Sequence, residues 1–191
     1  MGRLSPKMIL PMNIIYRNDL FYTAMISYES LLTGTPWVNR DAPRDECFMA
    51  SEDLSYTYGK GFERTYKSVP ITDDVKYIMD GINYEYQSKY NVCFLNYYKD
   101  EKQHLGWHSD DSKEMDIEHP IAVVSYGAER EIWVKHKDFK GVIPQSDRYK
   151  LGSASLFIMP AGYQKDHLHK IPKPDKPCGG RISLTFRRFI A

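Results

Sequence analysis

The segment Gly106-Trp107-His108-Ser109-Asp110-Asp111 sets an imidazole and a carboxylate two residues apart. In an extended segment, residues i and i+2 point to the same side, so His108 and Asp110 can grip one ion together. An isolated H-x-D also arises by chance, and His104, His119 and His136 show how readily single histidines occur. A third ligand is therefore needed. Two imidazoles and one carboxylate on one face of an octahedron leave positions open for a co-substrate and O2, the arrangement of non-haem Fe(II) oxygenases. His167 and His169 are the downstream histidines available for it.

The C-terminal run Arg181-Ile-Ser-Leu-Thr-Phe-Arg187 adds a second signal. Strand alternation puts Arg181, Ser183, Thr185 and Arg187 on one face and Ile182, Leu184 and Phe186 on the other. Burial alone explains two arginines on one strand face poorly. The planar fork of an arginine suits a carboxylate, and a dicarboxylate co-substrate needs such a partner at its end away from the metal.

Several elements must position these groups. Asn18 and Asp19 can cap a helix whose apolar face runs through Leu20, Phe21, Ala24, Met25, Tyr28, Leu31 and Leu32, ending near Gly34 and Pro36. From Thr35 to Gly61 the period disappears, and Trp37, Phe48, Tyr56, Tyr58 and Phe62 lie among turn residues, which reads as a long loop, functioning as a lid, or a short hairpin. A second helix is capped by Thr72, carries Asp73 and Asp74 in its first turn, and buries Val75, Ile78, Met79, Ile82 and Tyr86. Short β-rich runs follow: Val92 to Tyr98, Ile121 to Tyr126, Glu131 to His136, Ser155 to Met159, His167 to Ile171 and Arg181 to Phe189. Helices first and many strands after predict an α+β fold, a β-sandwich or jelly roll with the N-terminal helices packed on one face.

The 191 residues suit one domain, with helices and a lid over about 1–90 and the β core over about 91–191. Apolar residues make up 42% of the chain and aromatic residues 14%, with fifteen tyrosines, enough for a packed core. The formal charge of +1 lacks the global basic balance common in nucleic-acid binders, so any basic footprint must be local. Two stretches offer one: Arg130 to Lys150, with Lys135, Lys137, Lys140 and Arg148, and Lys165 to Lys176. Each is either a solvated face or a phosphate-binding surface. Cys47, Cys93 and Cys178 are odd in number and widely spaced, which encodes neither a disulfide framework nor a thiolate zinc site and suits a reducing interior. The apolar stretch from Met8 to Ile15 holds Pro11 and is too short to span a bilayer, and no targeting signal is evident.

Taken together, Asn96-Tyr-Tyr98, His108-Ser-Asp110 twelve residues after Asn96, His169-Lys-Ile-Pro172 and Arg181-Ile-Ser-Leu-Thr-Phe-Arg187 resemble the AlkB-type Fe(II)- and 2-oxoglutarate-dependent dioxygenases, in particular the nucleic-acid-repairing members. The resemblance runs over roughly residues 36 to 189. It implies a double-stranded β-helix, or jelly roll, with His108, Asp110 and His169 as catalytic iron ligands. His169 fits better than His167 because it stands three residues before a proline and twelve before Arg181. It further implies that Arg181 pairs with the distal carboxylate of 2-oxoglutarate while Asn96, Tyr98 and Arg187 bond the co-substrate or shape its pocket.

Pro43-Arg44 and Tyr56-Thr-Tyr58-Gly59 resemble the family's nucleotide-recognition lid, which implies that Arg44, Tyr56 and Tyr58 meet the nucleotide. Trp37 and Trp107 serve either the pocket or the core. DNA-repairing members often carry an acidic residue two positions after the iron aspartate. Here that position is Ser112, and Asp111 beside it is the acidic group on offer to the base. The implied activity is oxidative demethylation of N-alkylated bases such as 1-methyladenine or 3-methylcytosine in DNA or RNA. Fe(II), 2-oxoglutarate and O2 are consumed in it, and succinate, CO2 and formaldehyde are released. The alternatives are a 2-oxoglutarate oxygenase acting on a modified nucleotide, protein or small molecule, and a non-catalytic binding module, which would show a broken triad. The expected setting is cytoplasmic, or nuclear in a eukaryote, as a monomer with no membrane association.

Overall fold

A computed structural model describes residues 13–58 and 64–190, the side chains of Tyr58 and Ser146 excepted. Gly59, Gly61, Phe62 and the start of the apolar stretch from Met8 lie outside the described residues. The first part of the chain forms β1 (Ile15–Arg17), α1 (Phe21–Ala24), α2 (Tyr28–Gly34), β2 (Val38–Asn39), β3 (Asp45–Ala50), β4 (Ser55–Tyr58), β5 (Arg64–Lys67), β6 (Val69–Pro70) and α3 (Asp73–Tyr86). Then come β7 (Val92–Tyr98), β8 (Leu105–His108), β9 (Ile121–Gly127), β10 (Arg130–His136), β11 (Arg148–Leu151), β12 (Ser155–Met159), α4 (Tyr163–Asp166), β13 (His167–Ile171) and β14 (Arg181–Arg187).

The larger sheet runs β1-β12-β9-β14-β7-β3-β2, with β6 alongside β3, and the smaller runs β11-β10-β13-β8. All neighbours are antiparallel except β3 and β6. Alternation sorts the larger sheet's side chains into two cores. Leu95, Val124, Leu156, Ile182, Leu184 and Phe186 face α3 and α2, meeting Val75, Ile78, Ile82 and Leu31. Phe94, Val123 and Phe157 face the smaller sheet and meet Ile132, Val134, Leu151 and Ile171. This is the expected jelly roll, with helices on the outer face of the larger sheet. β14 lies between β7 and β9 at its centre and is buried along all 7 residues.

α3 matches the helix read from the sequence, although Thr72 makes no side-chain cap hydrogen bond. The first helix differs. Ser27 is extended and its side chain accepts from the Ser30 backbone N–H, so a new helix starts there and the chain splits into α1 and α2. Asp19 pairs with Arg17 rather than capping, and Phe21 and Met25 of the expected apolar face are 71% and 59% exposed.

The aperiodic region also differs. Residues 45–50 form β3, buried on both faces and paired with β7, while β4 pairs in a hairpin with β5, which lies beyond the Thr35 to Gly61 stretch. Residues 1–90 thus supply strands of the larger sheet as well as helices and the hairpin.

Gly127, the register partner of Arg181, has φ +87, and a Cβ there would collide with the Gly180 carbonyl oxygen and the Tyr28 ring. Gly127→Ala is expected to destabilise the protein by about 2–4 kcal/mol. Gly152→Ala, where nothing lies within 4 Å of the added carbon, should be close to neutral. Urea unfolding of both variants checks this, and equal midpoints would contradict it.

Candidate metal and co-substrate site

His108 ends β8, and the pairing of β8 with β13 shifts register between His108↔His169 and Leu105↔Ile171. Three residues on β8 thus span two on β13, a bulge that takes up one extra residue. The result is that Leu105 and His108 both face the interior cleft while Trp107 faces outward. The His108 Nδ1 bonds the Gly106 carbonyl at 2.9 Å, which leaves Nε2 as the inward atom.

His169 sits directly across the ladder, its ring centroid 4.1 Å from that of His108. Asp110 lies beyond the strand rather than within it, held by its backbone N–H donating to Gln164 Oε1 at 3.0 Å. Its Oδ1 is 3.9 Å from His108 Nε2 and its Oδ2 4.0 Å from His169 Nε2. The three potential ligand atoms all lie within 4.8 Å of one another, the only such group among the described residues. His167 stacks on Tyr163 at 3.9 Å and stands apart from it.

The protonation states suit a cation. Burial by itself would raise the Asp110 pKa, but Arg187, whose Nη2 is 2.9 Å from Oδ1, and the two histidines bring it down to about 2. Burial, with His108 and Arg187 beside it, pushes His169 down to about 3 against the pull of Asp110. His108 is also lowered, by burial first. One carboxylate and two neutral imidazoles are what a divalent metal requires of its ligands.

From Asp110 a buried polar row follows the inner face of β14: Arg187, Thr185, Ser183 and Arg181, flanked on β7 by Asn96 opposite Ser183 and Tyr98 opposite Arg181. Arg181 is 0% exposed. Its Nη2 donates to Ser125 Oγ at 2.8 Å, whereas Nε and Nη1, together with the Tyr98 hydroxyl, have no hydrogen-bond partner among the described residues. Burial pulls its pKa down to about 10, with Tyr98 opposing and Arg130 adding to the effect, so it stays charged at neutral pH. Arg130 also lies over the Tyr98 ring, 5.7 Å from its centroid, and its guanidinium is occupied by the carbonyls of Gln103 and Pro172 at 2.9 and 2.7 Å. A buried guanidinium with unmet donors and no acid nearby fits an anionic guest.

Above the triad opens a small cleft lined by Arg44, Tyr56, Tyr66, Phe94, Asn96 and Leu105 as well as His108, Asp110 and Arg187. Arg44 and Tyr56 therefore stand where the lid resemblance puts them, but both are already engaged. Arg44 donates to Asn96 Oδ1 at 2.6 Å and pairs with Glu46 at 2.7 Å. Tyr56 stacks on Tyr66 at 5.2 Å and packs edge-on against Phe48.

The Tyr58 side chain lies outside the described residues. Asp111 is exposed, accepts from Ser109 at 3.0 Å and does not line the cleft, so that assignment is not brought to the site. Trp37 packs at the back of the larger sheet, its Nε1 donating to the Leu32 carbonyl at 2.9 Å. Sequence reasoning missed Glu46, Tyr66, Ser125 and Gln164. Only the Arg44-x-Glu46 spacing, which allows a same-face pair on a strand, could have signalled one of them.

The lowered pKa values set a pH dependence for the metal-free protein. An unfolded histidine takes up its proton near 6.5, whereas folded His169 resists it down to about 3, so stability is lost as pH falls through that window. Asp110, depressed from 3.8 to about 2, extends the loss at the acid end. The urea midpoint of metal-free protein is expected to fall between pH 7 and pH 5, and His169→Gln should flatten that slope. An unchanged slope in the variant would contradict it.

Residues 24–187 match the family model of the 2OG-Fe(II) oxygenase superfamily. The chain is 31% identical over 153 residues to the DNA oxidative demethylase ALKBH2 of Bos taurus, covering 78% of this chain and 54% of that protein. It is 33% identical over 168 residues to ALKBH2 of Arabidopsis thaliana, with the same coverage. Against the alpha-ketoglutarate-dependent dioxygenase alkB homolog 3 of Mus musculus it is 28% identical over 170 residues, 83% of this chain and 59% of that one. The chain thus spans somewhat over half the length of these relatives. The solved structure of OsALKBH1 shares the fold, with a TM-score of 0.60 at 15% identity over 94% of this chain and 99% of that one. The chain belongs to the 2OG-Fe(II) oxygenase superfamily and is of the AlkB type.

Proposed function

We propose that this chain removes N-alkyl groups from bases of DNA or RNA, with Fe(II) held by His108, Asp110 and His169 and 2-oxoglutarate anchored by Arg181. The observation that carries the reading is the buried Arg181 guanidinium with two unmet donor atoms, at one end of a polar row whose other end is the triad. Iron with 2-oxoglutarate and O2 bound would supply the oxidation of an N-alkyl carbon, with succinate, CO2 and, for a methyl group, formaldehyde as products.

The residues of the chain do the positioning. Arg181 and the Tyr98 hydroxyl receive the distal carboxylate, with Ser125 fixing the guanidinium. Asn96, held by Arg44, borders the co-substrate. Arg187 keeps Asp110 ionised and oriented. Gln164 holds the Asp110 backbone, a supporting contact of the sort that tunes metal sites.

A base must leave its stack to reach a metal at this depth, and the rings of Tyr56, Tyr66 and Phe94 give the cleft walls suited to an extruded base. The relatives' names as demethylases of DNA support a nucleic-acid substrate. None of the described helices is long and apolar enough to cross a membrane. On this reading residues 1–191 act as one dioxygenase domain, monomeric, in the cytoplasm or in a eukaryotic nucleus.

Incubation with Fe(II), ascorbate, 2-oxoglutarate and an oligonucleotide carrying 1-methyladenine or 3-methylcytosine, followed by mass spectrometry of succinate and base, tests this. Both products are expected, and His108→Ala or Asp110→Ala should abolish both. Demethylation surviving either substitution would sink the site assignment, and succinate without demethylation would indicate another substrate. Arg181→Ala is expected to raise the KM for 2-oxoglutarate by about 100-fold, the scale for truncating one partner of a buried charge pair. Metal affinity should change little. An unchanged KM would place the anchor elsewhere.

A further inference from the structure

The smaller sheet has a second face. Trp107 of β8, Trp133 and Lys135 of β10, Lys170 of β13 and Arg148 of β11 all point away from the interior. They form one interlocked row. The Lys170 ammonium lies 4.2 Å from the Trp133 ring centroid and 4.8 Å from that of Trp107. Lys135 lies 4.8 Å from Trp107, and the Arg148 guanidinium 4.3 Å from Trp133. Arg148 and Lys170 are both direct cross-strand partners of Trp133.

The two basic stretches singled out in the sequence, Arg130 to Lys150 and Lys165 to Lys176, thus converge on one face. Glu131, Glu129 and Asp175 share a groove with Trp133 and Arg148, and Glu131 is engaged by the Trp133 indole N–H at 2.6 Å and stands opposite Lys150 in the ladder. The Lys170 ammonium has no hydrogen bond or ion pair among the described residues. Like charges held together this closely, on rigid aromatic supports, call for an anion to offset their repulsion.

We propose that this outer face of the smaller sheet is a secondary binding track for the phosphate backbone of the nucleic-acid strand whose target base enters the cleft. β8 is the edge strand of the sheet, with Leu105 and His108 facing the cleft and Trp107 facing the track, so one strand's width separates the two. A strand passing over that edge can place a base inside and flanking phosphates outside. The cations take phosphates as point charges without reading sequence, and the indoles, whose faces the cations occupy, serve as supports rather than stacking platforms. The proposal rests on the nucleic-acid reading above.

The test compares Lys135→Gln/Lys170→Gln with Lys76→Gln/Lys89→Gln, a pair of exposed lysines elsewhere. Each protein is loaded with Mn(II) and 2-oxoglutarate, and binding of a 15-nucleotide strand carrying one 1-methyladenine is followed by fluorescence anisotropy across salt concentrations. The track variant is expected to bind about tenfold more weakly, with a log–log salt slope shallower by about 1.5, the release of roughly two phosphate contacts. Lys135→Arg/Lys170→Arg should restore both values, and the iron-loaded track variant should turn over the nucleoside 1-methyladenosine, which carries no phosphate for the track to hold, as the wild type does. Wild-type affinity and slope in the track variant, or an equal loss in the Lys76/Lys89 variant, would overturn the proposal. If the wild type demethylates no oligonucleotide yet binds the strand with a slope that depends on Lys135 and Lys170, the track stands and the demethylase reading falls.

Discussion

A guanidinium taken out of water must find counter-charge or hydrogen-bond acceptors, because an unpaired buried charge costs several kcal/mol. Arg181 meets only part of that demand through Ser125 and sits beside a second buried cation, Arg130. Its place at the start of the central strand β14 keeps it fully buried. The chain tolerates this because the rest of the strand is strongly anchored: Ile182, Leu184 and Phe186 pack on the helices, and both neighbouring strands pair along its length. Stability elsewhere thus holds open an electrostatic deficit that a carboxylate can fill.

The smaller sheet works by a related division. A single extra residue in β8 turns Leu105 and His108 inward together and sends Trp107 outward. On β13, simple alternation puts His169 inside and Lys170 outside. His108 and His169, two of the three proposed metal ligands, are therefore each backed, one residue away, by a member of the aromatic and cationic outer row. Asp110, the third proposed ligand, comes from a loop, and its backbone is fixed by Gln164 from α4, so three separate elements must be in register for the three side chains to meet.

Much of this was legible in the sequence because alternation is a strong signal in strands with one polar face. The two faces of β14 and the limits of β12 and β13 follow from it directly. β3 was hidden because it is buried on both sides, so Cys47, Phe48, Met49 and Ala50 show no alternation, and because it opens with Asp45 and Glu46, whose partners Lys99 and Arg44 appear only in three dimensions. The N-terminal helix kept an apolar period across a break that one side-chain cap at Ser27 creates. Asp111 looked suited to the base by sequence position alone, but the turn after His108 that brings Asp110 inward leaves Asp111 in solvent.

On the proposed reading, Arg181 awaits the far carboxylate of a dicarboxylate co-substrate. Calorimetric titration of Mn(II)-loaded protein with 2-oxoglutarate and, separately, with 2-oxobutyrate, which keeps the metal-chelating end and lacks the distal carboxylate, tests it most directly. One site per chain is expected, with 2-oxoglutarate binding about 100-fold more tightly, the scale of a buried charge-assisted pair. Equal affinities for the two acids would contradict it.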